Sequence, residues 1–84
     1  FNLIDDYNMG KILEEIQYYT RSNQNEIVLA AILTIGKIAL KNKKMLSKAT
    51  KILIEILKNG DPAHTDDVVL ALAQIINDVN SYYF

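Results

Sequence analysis

The chain has 84 residues, 50% of them apolar and 23% charged, with a net charge of −1, one Pro, three Gly, one His and no Cys. That length builds one small domain, and without cysteine there is no disulfide framework, thiolate metal site or thiol nucleophile, so a cytosolic or nuclear setting fits best. The near-neutral charge gives no global pull toward nucleic acid or anionic membrane, and the composition is too apolar for disorder and too interrupted by charge for a membrane protein.

The chain begins at Phe1 without a signal-peptide pattern and reads as a piece of a longer protein. Met9, Ile12, Leu13, Ile16 and Tyr19 fall at helical spacing, which predicts an amphipathic helix over about 8–21. Ser22 to Asn25 is a polar break, and Asn23 with Glu26 three residues on is a candidate capping box. Residues 27–40 are apolar except for Thr34, Gly36 and Lys37, which predicts a helix buried on most sides but too short to cross a bilayer.

Asn42 marks the next break, and Met45, Ala49, Ile52, Leu53, Ile56 and Leu57 predict a third helix. It is expected to stop at Asn59-Gly60-Asp61-Pro62, with Gly60 in the left-handed position that follows many helices and Pro62 blocking continuation. Thr65 is the expected N-cap of a fourth helix, with Asp66 and Asp67 in the first turn, where the helix dipole favours anions. Val68, Leu72, Ile75, Ile76 and Val79 carry its apolar stripe. No segment shows sustained period-two alternation, so the chain reads as all-α, four short-looped antiparallel helices.

Laying one half over the other shows a repeat. Lys11-Ile12-Leu13-Glu14-Glu15-Ile16 matches Lys51-Ile52-Leu53-Ile54-Glu55-Ile56 at an offset of 40. Val28-Leu29-Ala30 recurs as Val69-Leu70-Ala71 at an offset of 41, Glu26-Ile27 meets Asp67-Val68, and Ile35 meets Ile76. A nearly constant period across both helices of a pair is the pattern of HEAT and armadillo solenoids. The expected architecture is therefore an α-solenoid fragment of two helix pairs, about 8–41 and about 44–81, with a free-standing four-helix bundle as the alternative. Such pairs need neighbours to cover their ends. Phe1, Leu3 and Ile4 at one end and Tyr82, Tyr83 and Phe84 at the other are the expected severed interface, and the isolated chain is expected to be weakly stable or to self-associate.

The order of residues carries a family resemblance. Asn8, Ile12-Leu13-Glu14-Glu15-Ile16 and Tyr18-Tyr19-Thr20 are followed by Ala31-Ile32-Leu33-Thr34-Ile35-Gly36-Lys37-Ile38-Ala39-Leu40-Lys41. Then come Ile52-Leu53-Ile54-Glu55-Ile56-Leu57, Val68-Val69 and Ile76-Asn77-Asp78-Val79. From about residue 8 to 80 this resembles the trunk of the adaptin and coatomer large subunits, and is most similar to β-adaptin. Lys37 stands where the family usually has Arg, Ala71 where Glu is common and Asn80 where a basic residue is expected, which leaves the subunit type open. The resemblance implies a non-catalytic scaffold of a vesicle-coat adaptor complex in intracellular protein transport. It implies protein-binding partners among the other adaptor subunits. It also implies peripheral recruitment to Golgi, endosomal or plasma-membrane coats through the parent complex. The alternative is a HEAT or armadillo scaffold of another class, such as a transport receptor or regulatory scaffold.

Charge is unevenly spread. Lys37, Lys41, Lys43, Lys44, Lys48 and Lys51 crowd around the junction of the second and third helices, a candidate patch for an anionic head group or acidic partner. The plain reading is a solubilising face. No aromatic lies between Tyr19 and Tyr82, so nucleic-acid binding is not expected. Asp61, His64, Asp66 and Asp67 lie close in sequence but match no metal-ligand spacing, and helix capping accounts for the acids. Ser22, Ser47 and Ser81 sit in no nucleophile motif, and no phosphate-cradling glycine loop is present. No catalytic residue, cofactor or metal is expected. Gly36, in a helix interior where glycine costs about 1 kcal/mol, is read as a packing glycine beside a neighbouring helix. Of Tyr18 and Tyr19, one is expected to pack against the next helix.

Overall fold

The helical spacing of the apolar residues becomes four α-helices in the computed structural model, which describes residues 6–83, with side chains from 7 to 81. They are α1 (Asp6–Tyr19), α2 (Asn25–Lys41), α3 (Leu46–Asn59) and α4 (Thr65–Tyr83). A 3₁₀ turn (Lys43–Met45) leads into α3 and another (Pro62–His64) leads into α4. The described residues contain no strand, so the fold is all-α.

The ends of the helices follow local chemistry, in places not as the sequence alone suggests. α1 stops at Tyr19, two residues early, where the Thr20 hydroxyl donates to the Gln17 carbonyl at 2.6 Å. The cap of α2 is Gln24 in extended backbone, with no side-chain hydrogen bond, so Asn23 does not form the expected capping box. Ser22 shapes that turn instead, its Oγ accepting from the Gln24 N–H at 3.1 Å. Asn42 both ends α2, its N–H donating to the Ile38 carbonyl, and starts the next turn, its Oδ1 accepting from the Lys44 N–H at 3.0 Å.

The third junction differs most. Gly60 is extended at φ −84° and ψ −179°, not left-handed. Asp61, not Thr65, is the capping residue: its Oδ1 accepts from the Ala63 N–H at 2.9 Å. Thr65 already has helical dihedrals, and Pro62 opens the 3₁₀ turn, where its missing N–H costs nothing. Asp61→Ala is accordingly expected to lower stability by about 1 kcal/mol, and Thr65→Ala by clearly less, in chemical unfolding.

The core is one cluster drawn from all four helices and the first 3₁₀ turn: Leu13, Val28, Ile32, Ile35, Ala39, Met45, Ala49, Ile52, Leu53, Val68, Ala71 and Ile75. α2 is its centre, packing broadly on α3 and α4 and then on α1. α3 also packs on α4, whereas α1 and α4 meet at most marginally. α2 is less buried than its composition suggests. Its buried stripe is Val28, Ala31, Ile32, Ile35, Gly36 and Ala39, while Ile27, Leu29 and Leu33 are exposed. Thr34, also exposed, satisfies its hydroxyl within the helix, on the Ala30 carbonyl at 2.7 Å.

Candidate functional site

The lysine patch is divided by the helices that carry it. Lys37 lies opposite the buried stripe of α2, and Lys51 lies away from the buried Ala49, Ile52 and Leu53 of α3. Lys37 and Lys51 are therefore both exposed on faces turned away from the core, each on its own helix. Lys41, Lys43, Lys44 and Lys48 remain together at the α2–α3 junction, all exposed. Lys48 spans to α1, its Nζ 4.0 Å from Glu14 Oε1; both side chains are largely in water, so the pair contributes little.

His64 is the one buried polar side chain among the described residues. Its Nδ1 lies 3.5 Å from Asp67 Oδ2, near enough for attraction but outside hydrogen-bonding geometry, and it has no hydrogen-bond partner. A shallow groove of about 270 Å³ at this corner is lined by Asn25, Glu26, Leu29, Ala63, His64 and Asp67. It brings the starts of α2 and α4 together, yet no group of three ligating side chains in the described residues converges on one point.

The tyrosines are more open to solvent than buried, Tyr19 less so than Tyr18. Tyr18 and Tyr19 are both exposed, meeting edge to face with ring centroids 5.8 Å apart. Neither is fully buried, since both stand at the last turn of α1. Tyr19 faces α2 across an open groove of about 250 Å³ lined by Ile16, Ile27, Ala30, Ala31 and Thr34. Phe1, Leu3, Ile4 and Phe84 lie outside the described residues; Tyr82 and Tyr83 belong to α4 by backbone, and their side chains lie outside the description too.

Gly36 is buried on α2 beside α4: a Cβ built there lies 3.5 Å from the Ala71 Cβ. The small residues at this point let the two helices run close. The exposed apolar residues are the feature that sequence reading missed. Leu57 on α3 and Ile76 on α4 are exposed although both belong to the apolar stripes expected from the sequence, and Ile54, Val69 and Leu70 are exposed beside them. No described helix is long and apolar enough to cross a membrane. Models of protein families, curated proteins and solved structures were all compared with the chain, and none matches it.

Proposed function

We propose that this chain is a non-catalytic, protein-binding scaffold segment made of two stacked helix pairs in the HEAT/armadillo manner. The observation that carries the reading is the packing order. In a closed up-and-down bundle α1 lies beside α4, and α2 lies diagonal to α4. Here α2 packs on α4 as broadly as on α3, and α1 hardly meets α4. That is the order produced when one hairpin stacks on the next, with second helix on second helix. The repeat offsets of 40 and 41 support the same reading, since two similar pairs stack with similar faces.

The more specific role is a segment of a vesicle-coat adaptor large subunit, acting in intracellular protein transport on Golgi, endosomal or plasma-membrane coats. It rests on the resemblance carried by Thr34-Ile35-Gly36-Lys37 and Ala39-Leu40-Lys41, with Gly36 facing the stacked helix. The partners on this reading are the other adaptor subunits, reached through protein surfaces without a cofactor. Affinity purification of the tagged protein from its own cells tests it. Stoichiometric recovery of a second large chain, a medium chain and a small chain is the expected result. Recovery of nuclear-transport or signalling partners instead keeps the scaffold and removes the coat role.

A further inference from the structure

Asn59 and Gly60, at the end of α3, carry a chemistry that the scaffold reading does not use. The chain has eight asparagines, and only Asn59 is followed by glycine. Because Gly60 has no Cβ, nothing on its own side chain obstructs the approach of its backbone nitrogen to the Asn59 side-chain amide carbon. That attack forms a bond between Gly60 N and Asn59 Cγ. The Gly60 N–H proton passes to water or hydroxide, and the Asn59 amide nitrogen leaves as ammonia. Water then opens the five-membered imide at either carbonyl, giving an aspartyl or an isoaspartyl residue. The net change is water taken up and ammonia released, with no oxidation or reduction.

The native structure holds this reaction back through the last turn of α3. The Gly60 N–H, whose proton must be lost for the attack, donates to the Ile56 carbonyl at 2.8 Å. The Asn59 side-chain amide donates through Nδ2 to Glu55 Oε2, which ties it back along the helix. Asn59 is also the last residue of α3, and closing the five-membered ring requires its backbone to leave the helical ψ. Opening of this one turn releases all of these restraints together. Residues 57–63 are all exposed, so the turn has little buried surface to lose and can open while the rest of the fold stays closed. Asn59 and Gly60 line a groove of about 120 Å³ with Thr20 and Arg21, open to the solvent that supplies the water.

We propose that Asn59-Gly60 is a deamidation site gated by the last turn of α3. Opening of the turn admits the reaction, and the isoaspartyl product keeps the turn open. An isoaspartyl link adds a methylene to the main chain between the Asn59 Cα and the Gly60 N, so the Gly60 N–H no longer meets the Ile56 carbonyl. The modification is a slow loosening of the α3–α4 junction that accumulates with the age of the chain. It stands on this junction alone and does not depend on the scaffold reading.

Incubation of the full chain at mildly alkaline pH, in buffer and in guanidinium chloride, tests the site, with tandem mass spectrometry localising each amide-to-acid conversion. In denaturant Asn59 is expected to convert faster than every other asparagine. In buffer its conversion is expected to slow by about tenfold or more, because only the open fraction reacts. Hydrogen exchange reads the gate directly. The Gly60 N–H is expected to be protected by the same factor as the reaction is slowed, and far less than the Leu53 N–H. Asn59→Gln, which needs a larger ring, is the control and stays unconverted at that position. Asn59 converting no faster than its fellows in denaturant, or equally fast in buffer and denaturant, overturns the proposal. So does a Gly60 N–H that exchanges without protection while Asn59 stays slow. The isoaspartyl chain, separated by chromatography, is expected to have lost the Gly60 protection, and its retention there overturns the loosening.

Discussion

Leu53→Ala is expected to lower the stability of the chain by about 3 kcal/mol, lowering the thermal midpoint by about 12–24 °C. Leu53 is 0% exposed and sits in the cluster formed with Leu13, Ile32, Ile35 and Val68, so truncation removes buried methyl groups and leaves a void that rigid helices cannot fully close. A domain of this length has about 4–13 kcal/mol in total, so the loss is a large share of it. Leu70→Ala is the control. Leu70 is 55% exposed, and its truncation changes stability by no more than about 0.5 kcal/mol. Urea unfolding of both variants at one protein concentration measures the contrast. A loss below about 1 kcal/mol for Leu53→Ala means that its helix is not held against α2 as described.

The glycines give the second large contrast, with opposite signs. A Cβ on Gly60 would lie 2.5 Å from the Ile56 carbonyl oxygen and 3.0 Å from the Ile56 Cγ2. The first of these is backbone, and it also accepts the Gly60 N–H at 2.8 Å, so neither partner can step aside without loosening the end of α3. Gly60→Ala is therefore expected to lose about 1–3 kcal/mol. At Gly36 the nearest atom to a new Cβ is the Ala71 methyl at 3.5 Å, an ordinary contact. Gly36→Ala then gains up to about 1 kcal/mol from helix propensity, whereas Gly36→Leu drives a branched side chain into α4 and separates the pairs. Thermal unfolding of the three variants orders them. A stabilised Gly60→Ala would mean that α3 ends differently.

Four helices, their order and most of their boundaries were legible in the chain because a helix is specified locally. Met9, Leu13 and Ile16, or Ala49, Ile52, Leu53 and Ile56, place one apolar stripe per helix whatever the rest of the protein does. Asn42 as a junction was legible for the same reason: its side chain meets a backbone N–H only two residues away. The choice between Asp61 and Thr65 as the capping residue was not, since both residue types cap well and a 3₁₀ turn can be inserted between them. Gly60 misled because glycine after a helix commonly signals a left-handed residue, while the glycine here leaves room for the Ile56 carbonyl.

What the sequence by itself determined is that the chain is helical, that short stretches of its halves align at offsets of 40 and 41, and that each helix owns an apolar stripe. Only the tertiary structure decided which apolar residues are covered. Ile35 and Ile76 align at the offset of 41, and one is buried while the other is in water. Likewise Ala30 and Ala71 correspond, and only Ala71 has a helix against it. Helix formation depends on residues within a few positions along the chain, but burial depends on whether another element occupies the space alongside. α2 has α4 alongside it, and among the described residues α4 has nothing on its far side.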